Sequence, residues 1–250
     1  MDDMALARDR ERTVTVVSIV VTLIVLVGYI ALGNNPVSLR LRGLAGMNDR
    51  IRPAVDAGGA GSFAFLYTQR GSDEPVGFSP CRTVHYVVNP EHAPNGWEQL
   101  VDTGIAEVSD RTGLDFTDDG TTSDRDFDNR LGRSGNAEPV IIGWADAGEV
   151  SGLADDVAGL GGPVMIELAG RRVLVTGSVV MDSDTTDQLD GAVGGKRQQL
   201  ALLLHELGHL VGLDHVDDRN ELMYPRAGAR TTYGPGDLAG LAQLGAIPCG

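Results

Sequence analysis

The first pattern along the chain is a long uncharged run near the amino terminus. No charged residue occurs between Arg12 and Arg40, and the stretch from Val14 to Leu32 is almost entirely apolar. As a helix this stretch would be about 28 Å long, close to the roughly 30 Å hydrocarbon core of a bilayer. The pattern predicts a transmembrane signal anchor over residues 13–32, preceded by a short cytoplasmic segment, residues 1–12.

Two alternatives to an uncleaved anchor remain open at this point. A buried core helix would seldom run so far without a charge. A cleavable signal peptide fits the small residues around Leu32, and it would make the protein secreted, although the run is longer than usual for such peptides. Arginines flank the run on both sides, so their count does not decide its orientation. Signal anchors and signal peptides both export the polypeptide on their carboxyl-terminal side, which places the larger part of this chain outside the cytoplasm.

The rest of the chain alternates between short apolar runs and turn residues. Residues 33–61 are rich in Gly, Ala, Asn and Arg and predict a flexible linker, and a folded domain is expected over residues 62–250. β-Branched and alternating patterns predict strands at residues 63–67, 83–89, 139–144 and 172–181. Helical spacing predicts helices at residues 97–110, 196–211 and 237–244, whereas the polar stretch 115–133 predicts a loop.

This order of elements predicts an α+β fold, because short strands come first and the principal helices later. The chain is 42% hydrophobic and 22% charged, which provides for one sizeable domain with appendages and excludes a disordered chain. Its net charge of -15 argues against a nucleic-acid partner, since phosphates would be repelled. Two cysteines exclude a disulfide-dense miniprotein.

The candidate chemistry lies in the helix predicted at residues 196–211. Leu200 to Leu213 reads LALLLHELGHLVGL, in which two histidines and one glutamate are the only polar side chains. Four of the leucines share one face of the helix, and His205 and His209 point away from it. Because they are one turn apart, the two imidazoles can bind one metal ion, while Glu206 lies to the side, where a general base for a bound water is needed.

A third histidine comes just after this helix. Gly212 allows the chain to leave the helix with a positive φ, and His215 then arrives as a third ligand. The five fixed positions of this pattern would coincide by chance about once in 10⁵ chains of this composition. A lone buried histidine is usually a hydrogen-bonded core residue, but three in register favour a metal. Three histidines leave a coordination position open, which favours catalysis over a structural site.

The motif from His205 to His215 resembles the metzincin class of zinc endopeptidases and is most similar to its matrixin branch. Residues 216–222 separate His215 from Met223, and this spacing is similar to the matrixin methionine turn, in which Met223 would form the hydrophobic floor of the site. The resemblance implies a metzincin-like catalytic domain, with a twisted mixed sheet packed with helices, that hydrolyses protein or peptide substrates. It also implies that the substrate lies along an exposed edge strand, which is expected within residues 157–166. His205, His209 and His215 would hold Zn²⁺, which lowers the pKa of its water to about 7, and Glu206 would act as general base.

Some features depart from the matrixin pattern. Val216 replaces the usual serine after the third histidine, and no Pro-Arg-Cys-Gly switch precedes the domain. Cys81 could cap the zinc as a thiolate, but a disulfide to Cys249 is favoured, given only two cysteines and an export context. Because only His85 and His92 remain outside the motif, one catalytic zinc is expected.

A further hypothesis concerns calcium. Asp124, Asp126 and Asp128 alternate in a way that could bind Ca²⁺. An EF-hand loop would need Gly at position 129 and Glu at position 135, where this chain has Asn129 and Gly135, so a solvated loop is favoured. Asp182, Asp184 and Asp187 are expected at the surface.

The alternative to an enzyme is a catalytically silent, membrane-anchored binding module with the same fold. The presence of Glu206 argues against it.

Overall fold

The computed structural model describes residues 2–32, 37, 38, 41, 49–56, 58–132, 135–155, 157–168, 170–226 and 228–249, with side chains described from residue 14 onward except at 31 and 32. The chain divides into two compact units, Met1–Met47 and Asn48–Gly250.

The first unit contains helix α1, which runs from Asp2 to Leu32. Its described side chains are those of residues 14–30. Among the described residues, no helix is both long enough and apolar enough to cross a membrane. The structure therefore gives no support to the anchor predicted over residues 13–32. Residues 33–36, 39, 40, 42–48 and 57 of the predicted linker lie outside the described residues.

The second unit begins before the predicted domain boundary. Arg50 donates a hydrogen bond from Nη1 to the carbonyl oxygen of Gly245, at 2.7 Å, and Arg52 forms an ion pair with Asp110, at 2.8 Å. These contacts attach residues 49–56 to the folded unit. The boundary predicted at residue 62 therefore falls inside a unit that starts at Asn48.

The second unit is built from short strands and four helices within the described residues. Its strands are β1 (Ala64–Phe65), β2 (Thr83–Val88), β3 (Asp115–Thr121), β4 (Val140–Ala145), β5 (Gly159–Leu168), β6 (Arg171–Asp182) and β7 (Leu213–Asp214). Its helices are α2 (Trp97–Thr112), α3 (Ser183–Asp190), α4 (Gly195–Val211) and α5 (Pro235–Gly245), and Ser151–Leu153 form a 3₁₀ turn.

Five strands form one mixed sheet in the order β3-β2-β4-β6-β5. The pairs β2–β3, β2–β4 and β4–β6 are parallel, and β5 joins β6 in the antiparallel direction. Strand β5 is therefore an antiparallel edge strand, and it lies where the sequence predicted an edge. The predicted α+β class, with a mixed sheet and packed helices, is confirmed.

Strand β4 lies at the centre of the sheet and is buried on both faces. Its alternating side chains Val140, Ile142 and Trp144 pack in the large core on the side of α2 and α4. Ile141 and Ala145 point to the other face and pack in a smaller cluster. Two buried faces explain why β4 is continuously apolar instead of alternating.

Two predictions from the sequence were wrong here. The stretch expected as a loop begins with β3, a largely exposed edge strand whose pairing partner β2 is distant in sequence, so its local composition does not reveal it. Of the three aspartates expected at the surface, Asp184 and Asp187 are exposed, but Asp182 is not. Asp182 is 9% exposed and caps helix α3 by accepting a hydrogen bond from the Thr185 N–H at 2.7 Å.

Candidate metal centre

Helix α4 carries the metal motif on a firmly packed scaffold. Leu203, Leu204 and Leu207 are at most 2% exposed and pack in the large core. The helix ends at Val211, and the next residue, Gly212, has a φ of 119° that lets the chain turn away at once. Strand β7 then pairs with β1, which holds the approach to His215 in place.

Nitrogen atoms of the three histidines converge at one place. The Nε2 atom of His215 lies 3.1 Å from the Nε2 of His205 and 3.1 Å from the Nε2 of His209. Among the described residues, this trio is the one group of metal-binding side chains whose ligand atoms all lie within 4.8 Å of one another. The three residues that the sequence singled out as ligands are thus brought together.

Hydrogen bonding determines which ring nitrogens are free to bind a metal. His205 Nδ1 lies 2.8 Å from the carbonyl oxygen of Leu222, and His209 Nδ1 lies 2.9 Å from that of Leu213. A carbonyl only accepts, so both Nδ1 atoms carry the proton and both Nε2 atoms present lone pairs. The Nε2 atom of His215 can carry only one proton, but it faces the lone pairs of both His205 Nε2 and His209 Nε2. The cluster is therefore suited to a cation.

Electrostatics keeps these imidazoles neutral. Burial, and then the charge of His209, lowers the pKa of His205 to about 4. Burial also lowers the pKa of His209 and of His215, while Asp214 opposes the shift at both. Neutral imidazole is the form that binds a metal.

The spacing fits zinc. With Zn–N bonds of about 2.0–2.1 Å, tetrahedral ligand nitrogens lie about 3.3 Å apart. The two observed separations of 3.1 Å are close to this value. His205, His209 and His215 could therefore hold Zn²⁺ with one position left for water or substrate.

Glu206 directly follows His205 in helix α4 and packs against the edge strand β5. Its side chain is 4% exposed, and a Cβ placed on Gly159 would lie 2.9 Å from its Oε1 atom. Burial raises its pKa to about 8, against the lowering effect of a hydrogen bond from the backbone of Gly161. A cation at the trio would favour the ionised form.

Met223, the predicted hydrophobic floor of the site, is buried against helix α4. It is 1% exposed, and a Cβ on Gly208 would lie 2.6 Å from its sulfur, so the sulfur packs directly on the backbone of α4. Its carbonyl oxygen accepts a hydrogen bond from Val216 at 3.1 Å. The methionine turn of this protein is the segment Leu222–Pro225.

Sequence reasoning missed two buried carboxylates behind the methionine turn, Glu221 and Asp237. They are 2% and 0% exposed. Asp237 accepts hydrogen bonds from the backbone N–H groups of Leu222, at 2.5 Å, and Gly234, at 2.8 Å. Acidic residues are usually exposed, and their partners here are backbone groups, so no side-chain pattern could have revealed them.

Cys81 and Cys249 form a disulfide across 168 positions of sequence, with their Cα atoms 5.7 Å apart. A cysteine in a disulfide has no thiolate to cap a metal.

Binding of Ca²⁺ by the loop that contains Asp124, Asp126 and Asp128 stays a hypothesis. The Asp124 carboxylate pairs with Arg130 at 2.7 Å, and Asp126 accepts hydrogen bonds from the backbone of its own loop.

The mixed α+β fold and the three-histidine centre beside a buried glutamate define a class, the zinc metalloproteases. A family model described as Peptidase_M10, Matrixin, matches residues 89–244, more than half of the chain. The chain belongs to the matrixin family, so the resemblance stated from the sequence is confirmed and the protein is a zinc metalloprotease.

Comparison with solved structures finds archaemetzincin (AmzA) from Methanopyrus kandleri, at 17% sequence identity and a TM-score of 0.42. The match covers 64% of this chain and 93% of that one. Comparison with curated protein sequences gives no significant match.

Proposed function

We propose that this metalloprotease is an endopeptidase that cleaves proteins outside the cytoplasm, with Glu206 as its general base. The observation that carries the proposal is the position of Glu206. It directly follows the ligand His205 in helix α4, it is buried, and it packs against the edge strand β5, where a peptide can bind.

The side chains have distinct roles in hydrolysis. His205, His209 and His215 would hold the zinc ion, which when bound polarises a carbonyl group and acidifies water. Glu206 takes a proton from the attacking water and later delivers it to the nitrogen of the departing amine. The Nδ1–H groups of His205 and His209 keep both rings oriented through their carbonyl acceptors.

Strand β5 is the proposed substrate platform. Among the described residues, β5 pairs with β6 along one edge, and no strand pairs with its other edge. An extended peptide can add to such an edge through main-chain hydrogen bonds, with little demand on side chains. Gly161 allows close contact with α4, since a Cβ there would lie 2.1 Å from the carbonyl oxygen of Glu206.

The test of endopeptidase activity is to digest an unfolded protein with the zinc-loaded full chain and to identify the new ends by mass spectrometry. Internal cleavage that a chelator abolishes and zinc restores would support the proposal. Removal of terminal residues alone would indicate an exopeptidase. Zinc binding without any cleavage would favour the silent binding module.

Localisation is a separate part of the proposal. We propose that residues 13–32 anchor the protein in a membrane and that the catalytic unit lies outside the cytoplasm. Support comes from the uncharged run between Arg12 and Arg40 and from the disulfide, because disulfides persist in oxidising compartments. Retention in membranes after alkaline carbonate washing, at the full intact mass, would support the anchor. A soluble product that begins after residue 32 would favour secretion instead.

A further inference from the structure

Glu221 and Asp237 link the methionine turn to helix α5 in a reciprocal manner. Glu221 precedes the turn, and its carboxylate accepts hydrogen bonds from the backbone N–H groups of Gly236, at 2.9 Å, and Asp237, at 3.0 Å. Asp237 belongs to the helix, and its carboxylate accepts from Leu222 at 2.5 Å. Each element therefore supplies a carboxylate to the backbone of the other.

The amino end of α5 is a favourable place for the Glu221 carboxylate. The first N–H groups of a helix have no partner within it, and the helix dipole favours a negative charge there. The Glu221 carboxylate is bound by two of these N–H groups, and among the described residues no cationic side chain forms an ion pair with it.

The carboxylate of Glu221 is closely enclosed. It is 2% exposed. A Cβ placed on Gly234 would lie 2.2 Å from its Oε2 atom, and one placed on Gly61 would lie 2.6 Å from its Oε1 atom. Backbone thus surrounds both oxygens, and a side chain that lost its hydrogen bonds would have little room to find others.

A short path connects Glu221 to the metal centre. The next residue, Leu222, has its N–H fixed by Asp237 and its carbonyl oxygen bound to His205 Nδ1 at 2.8 Å. Leu222, which orients the ring of His205, is thus held by two buried carboxylates. Asp237 binds the N–H group of Leu222, and Glu221 is the residue immediately before Leu222 in the chain. A group that forms a hydrogen bond with a metal-binding histidine influences both the affinity for the metal and the orientation of the ring.

We infer that Glu221 is a positioning residue for the metal centre: it fixes the methionine turn to α5 and thereby holds the Leu222 carbonyl that orients His205. The inference rests on the proposed function, because it assigns Glu221 a role in the same site. Glu221 does not touch the substrate or the metal, and it acts through Leu222.

The test compares Glu221→Gln with a matched control, Leu241→Ala, in the full chain. Gln keeps the size of the side chain but loses the charge and one acceptor. Leu241 is 0% exposed and lies in the same helix, so its truncation weakens α5 without removing either carboxylate. The measurements are the zinc dissociation constant by chelator competition, kcat and KM on a protein substrate, and the thermal midpoint.

Glu221→Gln is expected to raise the zinc dissociation constant about tenfold and to lower kcat with KM little changed. Leu241→Ala is expected to lower the thermal midpoint at least as much, with zinc affinity within about twofold of wild type. Glu221→Asp, which keeps the charge, should recover part of the affinity.

The inference is overturned if Glu221→Gln binds zinc as tightly as wild type, or if Leu241→Ala loses affinity to the same extent. The second result would show that Glu221 acts only through general stability. Failure of the proposed function would look different, because the wild-type chain itself would then bind no zinc or cleave nothing.

Discussion

His205 donates a hydrogen bond from Nδ1 to the carbonyl oxygen of Leu222, 2.8 Å away. This contact joins helix α4, which carries two of the metal ligands, to the methionine turn that comes after the third. It also fixes the tautomer that leaves Nε2 of His205 available to a metal. Metal binding and the packing of the methionine turn are therefore expected to depend on each other.

Removal of the metal should lower stability as well as activity. A ligand that binds only the folded state adds about 2.7 kcal/mol at one hundred times its dissociation constant. We expect a chelator to abolish cleavage and to lower the thermal midpoint by several degrees, and added zinc to restore both. His209→Ala serves as the control, because its midpoint should respond far less to zinc. Equal midpoints with and without zinc in the wild-type chain would contradict the assignment.

The metal-free protein should reveal the buried acid through its pH dependence. Burial raises the pKa of Glu206 from 4.5 to about 8. Between these values the unfolded state has lost a proton that the folded state keeps, so the free energy of unfolding falls as the pH rises from about 4.5 to about 8, by on the order of 4 kcal/mol. Glu206→Gln cannot ionise and should not show this loss.

The measurement is urea unfolding of both metal-free proteins at about pH 5 and about pH 8. The histidines contribute equally to both proteins, so their effect cancels in the comparison. We expect the stability of Glu206→Gln relative to wild type to increase with pH. A difference that stays constant across this range would show that Glu206 is ionised in the fold or is solvated.

Close contact between β5 and α4 should tolerate no side chain at Gly161. A Cβ there would lie 2.1 Å from the carbonyl oxygen of Glu206, whereas a Cβ on Gly162 would meet nothing within 4 Å. Neither glycine has a positive φ, so strain of the backbone is not involved. Gly161→Ala is expected to destabilise the protein by about 2 kcal/mol or more and to lower activity, because it displaces the edge strand. Gly162→Ala should unfold within about 0.5 kcal/mol of wild type, and similar losses at both positions would contradict the packing described.

The metal ligands could be predicted from the sequence because they depend on local geometry. The positions of His205 and His209 follow from the period of one helix, and Gly212 marks the turn that delivers His215. The strands β4 and β6 were predicted for a similar reason, since their apolar runs reflect burial on both faces. In each case the information lies within a few neighbouring residues.

Features that depend on distant pairing could not be predicted in this way. Strand β3 is polar and exposed, and only its register with β2 makes it a strand. The local sequence predicts a surface position for Asp182, but this residue lies where β6 ends and α3 begins, and there its side chain caps the helix. Glu221 and Asp237 bind backbone groups across the methionine turn, and such partners leave no mark on side-chain patterns.

The disulfide should contribute stability without controlling latency. A disulfide that closes a loop of 168 residues lowers the conformational entropy of the unfolded chain, and this raises the free energy of unfolding by at most about 5 kcal/mol. Measured effects are typically about 2–4 kcal/mol. We expect the double variant Cys81→Ser with Cys249→Ser to unfold at lower urea concentration than wild type under non-reducing conditions. Cleavage per folded molecule should be unchanged. A gain in activity on removing Cys81 would instead indicate a thiolate that caps the zinc.

The most direct test of the central claim is to measure zinc content and cleavage on the same samples of wild type and Glu206→Ala. We predict about one zinc per chain in both proteins, because Glu206 is not a ligand, and a fall in kcat/KM of at least about 10²-fold in the variant, because the general base is gone. Cleavage that survives the substitution would contradict the role of Glu206. Wild-type protein without zinc would contradict the metal centre itself.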